Sequence, residues 1–142
     1  MMKYNKLFYL VFINILLISC TVSPQKIEYG KDACSFCKMT IVETKFAAEI
    51  VTNKGRAFKY DAAECMINAL AEKKESTLKY ILVTDYTKPK ELVDATTATY
   101  VINKEIKSPM GANLSAYTTK KSAQLNGTQL FNWSEIKARF KN

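Results

Sequence analysis

Short apolar segments separated by polar turns characterise the middle of the chain. Residues 41–42, 47–51 and 57–60 are rich in β-branched, aromatic and small apolar residues, a composition typical of strands. Asn53-Lys54-Gly55 stands between the last two segments and is typical of a turn. The pattern therefore predicts a β-hairpin, with residues 41–42 as an extended segment just before it.

A helical pattern follows the predicted hairpin. Asp61 stands three residues before Glu64, which resembles a capping box and predicts a helix from there to about Lys74. Cys65 lies on the same side of this helix as Asp61 and not on the apolar face, so packing in a hydrophobic core is a weak explanation for this cysteine. Five apolar residues share another face at about 100° per residue: Ala62, Ala63, Met66, Ile67 and Leu70.

The second half of the chain again mixes extended segments with short helices. Strands are predicted at 80–83, 92–93, 99–102, 114–117 and 129–131. Short helices are predicted at 119–125, ended by Asn126-Gly127, and at 134–140. This succession predicts an α+β fold. The two halves share no convincing sequence identity, so the sequence suggests an internal duplication but does not establish it.

The start of the chain has a different character. Lys3 and Lys6 form a positive region, and residues 7–18 form an apolar run interrupted only by Asn14. A transmembrane helix needs roughly 20 apolar residues, so this run is too short to span a bilayer. The pattern predicts a signal peptide over residues 1–19 that is removed on export.

A lipidation site ends this signal. Leu17-Ile18-Ser19-Cys20 matches the lipobox, where bacteria attach lipid to a cysteine and cut the chain before it. We expect a lipidated Cys20, a polar tether over 20–32 and one domain over 33–142. The protein would then be extracytoplasmic and anchored to the inner or the outer membrane. An ordinary signal peptide followed by a chance cysteine is the alternative.

The chain is basic, with a formal net charge of +8. Arg56 and Arg139 are the only arginines, and the lysines are scattered along the sequence. Proteins that bind nucleic acids usually cluster their basic residues and use arginine for bidentate contacts, so a nucleic-acid partner is not expected. A solvated surface explains the lysines, and weak attraction to anionic lipid head groups beside the anchor is the alternative.

Sulfur ligands concentrate in the segment Cys34-x-x-Cys37-x-Met39. A C-x-x-C motif occurs in zinc sites, redox-active disulfides and copper-binding loops. The chain has no histidine, which excludes a zinc site with imidazole ligands. Cys34, Cys37 and Cys65 can supply three thiolates, but an oxygen or an open position would have to complete a zinc tetrahedron.

Two methionines shift the preference towards copper. The thioether of Met39 is a poor ligand for zinc but a good one for Cu(I), because a soft ion prefers polarisable donors. Met110 lies between Pro109 and Gly111, which are typical of a loop. A methionine buried to fill a gap beneath that loop is the alternative. Together the soft donors indicate Cu(I).

These segments resemble, in order, the NosL family of copper-chaperone lipoproteins that accompany nitrous-oxide reductase. The matching parts are the lipobox at Cys20, Asp32 with Cys34-x-x-Cys37-x-Met39, Phe58-x-x-Asp61-x-x-x-Cys65-Met66, and Pro109-Met110-Gly111 followed by Leu114, Tyr117, Ala123 and Asn126-Gly127. The resemblance implies Cu(I) ligands at Cys37, Met39 and Met110. Cys34 departs from the family pattern, which often has one cysteine near a histidine here. Cys34 and Cys65 are therefore further candidate ligands.

The resemblance also implies a fold and a function. The fold would be an α+β arrangement of two related ββα-type units sharing a core, similar to organomercurial lyases. The function would be delivery of Cu(I) for maturation of nitrous-oxide reductase, without enzymatic activity. The expected partners are the membrane transport machinery or the reductase itself. A site of low coordination number would let such an acceptor withdraw the ion by ligand exchange.

The cysteines also fit three roles other than copper binding. A thiol-disulfide oxidoreductase would use Cys34 and Cys37 in an oxidising compartment, although no buried strand precedes the motif as in thioredoxin-like enzymes. An organomercurial lyase would suit the implied fold, but no catalytic acid stands out beside the thiols. A structural disulfide from Cys34 or Cys37 to Cys65 would leave one thiol unpaired.

Overall fold

The computed structural model describes residues 21–140. The predicted signal peptide and Cys20 lie outside the described residues. In this part of the chain, seven strands form two antiparallel sheets and three α-helices complete the fold, which confirms the predicted α+β class. No helix of the described range has both the length and the apolar character needed to cross a bilayer.

The first sheet has four strands in the spatial order β2-β1-β3-β4. They are β1 (Ala48–Thr52), β2 (Ala57–Tyr60), β3 (Leu78–Thr84) and β4 (Leu92–Asp94). β1 and β2 form the predicted hairpin, with Val51 paired to Ala57 next to the turn and Ala48 paired to Tyr60 at the other end. This register fixes which residues lie at each end of the sheet.

The second sheet has three strands in the order β6-β5-β7. They are β5 (Thr99–Ile102), β6 (Leu114–Tyr117) and β7 (Leu130–Phe131). In each sheet, the first strand of a β-β-α-β succession is central and antiparallel to both of its neighbours. The two sheets therefore share one order over these three strands, and β4 adds a fourth strand to the first sheet.

Helix α1 (Ala63–Leu70) follows the hairpin but is shorter than predicted. Its N-cap is Ala62, which makes no side-chain cap bond, so the predicted capping box at Asp61 is wrong. The helix ends at Leu70 rather than near Lys74. The residues just beyond Leu70 are mostly exposed, and without further apolar burial another helical turn gains little stability.

Two shorter helices belong to the second half. In α2 (Lys120–Gln124), the Thr119 side chain caps the N-terminus by accepting a hydrogen bond from Ser122 N–H at 3.1 Å. α3 (Trp133–Phe140) closes the domain. Helix α1 contacts β1 and β2 as well as β6 and α3. One core joins both sheets, and its members include Ile50, Tyr60, Met66, Tyr100, Leu114 and Ile136.

The segment predicted as extended at 41–42 is not a strand in the structure. Ile41 is fully buried, and its N–H donates to Asp32 O at 2.9 Å. Gly30 N–H in turn donates to Ile41 O at 2.8 Å. These local bonds replace sheet pairing, so the segment closes a loop that begins near residue 30.

The stretch predicted as a tether packs against the first sheet over its described part. It crosses three strands in order. Tyr80 of β3 donates its hydroxyl to Val22 O at 3.4 Å, Gln25 N–H donates to Glu49 of β1 at 2.8 Å, and Lys59 of β2 donates to the Lys26 carbonyl at 2.6 Å. Folded structure therefore begins before the predicted domain boundary at residue 33.

Candidate metal centre

The segment that carries the C-x-x-C motif forms a compact turn. Cys34 N–H donates to Met39 O at 2.8 Å, and Lys38 N–H donates to Cys34 O at 3.0 Å. Lys38 has a φ of 68°, in the left-handed region that ordinary residues adopt at some cost. This turn holds Cys34 and Cys37 close together.

Two contacts fix this turn against the end of β2. Ser35 N–H donates to Lys59 O at 2.7 Å, and the Lys59 ammonium forms an ion pair with Asp32 at 2.6 Å. Lys59 is the second-last residue of β2, and Asp61 follows before α1 begins at Ala63. The turn therefore lies beside the connection between β2 and α1.

Four ligand-type side chains converge at this connection. The Sγ atoms of Cys34, Cys37 and Cys65 and a carboxylate oxygen of Asp61 all lie within 4.8 Å of one another. Cys34 and Cys65 are each 1% exposed and Asp61 is 2% exposed, whereas Cys37 is only partly buried. Cys37 is thus the most accessible member of this cluster, and all three thiols are free.

Asp61 is a candidate ligand that the sequence did not indicate. Its Oδ2 accepts a hydrogen bond from Cys37 Sγ at 3.5 Å, and its buried Oδ1 has no hydrogen-bond partner among the described residues. An unpartnered buried carboxylate oxygen is costly, and a bound cation would satisfy it. The available signal was the placement of Asp61 and Cys65 on one side of the predicted helix.

The three thiols differ in proton affinity. Hydrogen bonding to Cys65 lowers the pKa of Cys34 from 9.0 to about 6, assisted by backbone N–H groups and opposed by burial. The same interaction raises the pKa of Cys65, and burial raises the pKa of Cys37. Cys34 is therefore the most acidic of the three thiols. A metal ion must displace the protons of the other two thiols to bind all three.

The two predicted thioether ligands lie at the surface. Met39 is 53% exposed and Met110 is 43% exposed. Met110 sits in a tight turn in which Gly111 N–H donates to Ser108 O at 3.0 Å. The exposure of Met110 contradicts the alternative of a buried gap-filler. The role of both methionines as ligands stays a prediction.

A buried hydrogen bond connects the Met110 turn to helix α1. Ser108 donates its hydroxyl to Glu64 Oε1 at 2.7 Å, and both residues are buried. The Ser108 oxygen also accepts a hydrogen bond from Asn113 N–H at 2.9 Å. Because Glu64 directly precedes Cys65, this bond places the Met110 turn beside the helix that supplies one of the cluster thiols.

Comparison with known proteins identifies the family and a similar fold. The NosL family model matches residues 24–139. The chain belongs to the NosL family. Its fold is similar to the crystal structure of the copper chaperone NosL from Shewanella denitrificans, with a TM-score of 0.70 and 21% identity over 82% of this chain and 97% of that one. No curated protein sequence matches the chain.

In this NosL-family chain, the predicted site residues divide into two groups. Cys34, Cys37 and Cys65 come together with Asp61, while the two methionines lie on exposed loops. Three cysteine sulfurs provide soft donors of the kind that Cu(I) prefers. The carboxylate also makes the set acceptable to Zn(II), which binds cysteine and aspartate together in tetrahedral sites.

Proposed function

We propose that this protein carries Cu(I) and is not an enzyme. The observation that supports the proposal most strongly is the convergence of three thiols and one carboxylate, from segments more than twenty residues apart, within 4.8 Å. Membership of the NosL family, and a fold similar to that of a copper chaperone, favour copper as the ion. Thiolate sulfur suits a soft monovalent ion of this kind.

A carrier must also release its ion to an acceptor. Cys34 and Cys65 are buried, whereas Cys37 opens towards solvent, so an acceptor would approach through Cys37. We expect the exposed thioethers of Met39 and Met110 to act at this entrance as neutral, exchangeable ligands. The acceptor would replace the carrier's ligands one at a time, so that copper is never released into water and no substrate bond is broken.

The proposal includes a lipid anchor at Cys20 on the extracytoplasmic side, after removal of residues 1–19. The proposed acceptors are membrane transport machinery or nitrous-oxide reductase during its maturation. Tethering would raise the effective concentration of carrier near such partners. Mass spectrometry of the protein purified from membranes tests the anchor: we expect a lipid-modified N-terminal Cys20, and an unmodified cysteine there would contradict it.

Zinc is the competing ion. Asp61 supplies the oxygen ligand that three cysteines would need to complete a tetrahedral Zn(II) site. Such a site would be closed and would serve stability rather than transfer. The experiment must therefore compare both ions on the same protein.

Metal titration tests the proposal. The protein would begin at residue 20 with Cys20→Ser, a chain that retains all described strands and helices. After anaerobic reduction it would be titrated with Cu(I) against a competing chelator, and separately with Zn(II). We expect one Cu(I) per chain. Loss of a direct ligand in Cys37→Ser or Cys65→Ser should weaken binding by about a hundredfold or more, since even outer-shell changes cost about 10- to 100-fold.

Matched variants and activity controls complete the design. Asp61→Asn and Met110→Ala should each weaken Cu(I) binding, whereas Asp94→Asn, at an exposed position, should not. Normal Cu(I) binding by both cysteine variants would exclude the cluster as the site. Displacement of Cu(I) by equimolar Zn(II) would reassign the ion. Insulin reduction by the metal-free protein would instead support the thiol-disulfide oxidoreductase.

A further inference from the structure

A groove rich in basic residues lies at the turn end of the first sheet, away from the cysteines. It has a volume of about 780 Å³ and is lined by residues of the β1–β2 turn and of the chain just after α1. We call it the basic groove and define it by five side chains: Lys54, Arg56, Phe58, Lys73 and Lys74.

The positively charged side chains of the basic groove lie close together and are not neutralised by ion pairs. The Arg56 guanidinium carbon lies 4.8 Å from the centroid of the Phe58 ring, and the Lys73 ammonium lies 4.3 Å from it. These are favourable cation–π distances. Within residues 21–140, none of the four basic side chains lies in an ion pair, and Glu72 is the one acidic residue that lines the groove. The groove thus offers an unpaired cluster of positive charge.

The chain enters the fold at the same end. The Cγ2 atom of Val22 lies 3.8 Å from the position that a Cβ of Gly55 would take, and Gly55 belongs to the turn that carries Lys54. The proposed lipid anchor at Cys20 is two residues upstream of Val22 in the sequence. The groove and the start of the described chain at Val22 therefore lie on one face of the molecule.

The metal cluster lies at the opposite end of the same elements. β2 runs from Ala57, beside the turn, to Tyr60, beside Asp61, a span of roughly 10 Å at strand geometry. Helix α1 runs back from Cys65 to its end at Leu70, roughly 8 Å, and the chain then continues to Lys73. Both elements separate the groove from the cluster by about the same distance.

We propose that the basic groove binds the head groups of anionic phospholipids and so orients the protein on the membrane. The lipid anchor and the groove would then face the bilayer together, and the opening at Cys37 would face the aqueous side where an acceptor can reach it. Lysine and arginine residues near an anionic membrane strengthen binding by roughly fivefold each. The orientation rests on the proposed anchor, but the binding of lipid by the groove can be tested without it.

Vesicle binding tests the groove. The probe would be vesicles of phosphatidylcholine containing phosphatidylglycerol, compared with phosphatidylcholine alone, and the protein would be the Cys20→Ser chain from residue 20. The groove variant replaces Lys54, Arg56, Lys73 and Lys74 by Gln. The control variant replaces four exposed lysines of the second half by Gln and so changes net charge equally: Lys104, Lys107, Lys120 and Lys121. We expect binding to anionic vesicles only, at least about tenfold weaker in the groove variant and nearly unchanged in the control.

Equal losses in the two variants would overturn the proposal, because net charge alone would then explain the binding. Wild-type binding that does not prefer anionic vesicles would overturn it as well and would direct the search to an acidic protein partner. The groove variant could lose its circular-dichroism signal because it fails to fold. The double variant Lys54→Gln with Lys74→Gln then replaces it, since it leaves Phe58 and both its cations in place. Its binding to anionic vesicles should still be several-fold weaker than that of the wild type. These variants leave every thiol intact, so failure of the copper titration and failure of this test are distinguishable.

Discussion

Among individual residues, Cys34 differs most from an ordinary cysteine. It is almost fully buried, yet hydrogen bonding to Cys65 lowers its pKa to about 6. A thiolate buried beside thiols and backbone N–H groups can bind an incoming cation without first losing a proton. Below this pKa, protons compete with the metal ion for the same sulfur.

The thiolate of Cys34 should be visible in a pH titration of the reduced, metal-free protein. Ultraviolet absorbance of thiolate should rise as the pH increases through about 6, and Cys34→Ser should remove this step. Cys65→Ala removes the main stabilising hydrogen bond and should move the step to higher pH. A wild-type protein without any thiolate step below pH 8 would contradict this description of Cys34.

Asp61 shows what the sequence could not settle at the residue scale. Its spacing to Glu64 fits a capping box, but the structure places its carboxylate against Cys37 at 3.5 Å and leaves the helix uncapped by a side chain. The spacing of residues in the sequence shows only which neighbouring residues of the same segment a carboxylate can contact. It contains no information about the turn at 34–39, which packs against Asp61 from another segment.

Among the structural elements, the loop that carries Met110 depends on its attachment to α1. Glu64 accepts the hydrogen bond from Ser108 at 2.7 Å in a buried setting. Removing one partner of a buried hydrogen bond usually costs about 1–3 kcal/mol. The same bond also limits how far the Met110 thioether can move from the cysteines.

Ser108→Ala should therefore lower both stability and copper affinity. We expect a loss of about 1–3 kcal/mol in the free energy of unfolding in urea, with Ser76→Ala, at an exposed position, as a neutral control. Cu(I) affinity should fall in the wild-type background. In the Met110→Ala background, Ser108→Ala should have no further effect on affinity. Additive losses in the double variant would show that Ser108 does not act through Met110.

Elements whose side chains follow a strong local period were predictable. The hairpin and the helix at Trp133–Phe140 were predicted within one residue of their observed positions. The segment at 41–42 has strand-forming residues, but the bonds of Ile41 to Asp32 and Gly30 retain it in a loop. Tertiary contacts of this kind override local propensity.

At the scale of the whole molecule, the N-terminal segment buries part of the outer surface of the first sheet. Glu49 is fully buried beneath it, with Oε1 accepting from Gln25 N–H and Oε2 without a partner among the described residues. Burial raises the pKa of Glu49 above its ordinary value of 4.5. Between pH 4.5 and this raised pKa, unfolding releases a proton from Glu49, so the contribution of Glu49 to stability falls as the pH rises through this range.

Glu49→Gln should remove this part of the pH dependence. Glutamine retains the oxygen that accepts from Gln25, but it has no proton to lose. The stability of the variant relative to the wild type, measured by urea unfolding, should therefore become more favourable between pH 4.5 and pH 7. A difference that is constant over this range, or that changes in the other direction, would contradict the raised pKa.

The account depends on copper being bound by sulfur atoms from both the turn at 34–39 and helix α1. X-ray absorption at the copper edge of the Cu(I)-loaded protein tests this most directly. The first coordination shell should be dominated by sulfur, and Cys65→Ser should lose one sulfur neighbour while Asp94→Asn loses none. A shell dominated by nitrogen or oxygen, or a sulfur count that Cys65→Ser leaves unchanged, would contradict the claim.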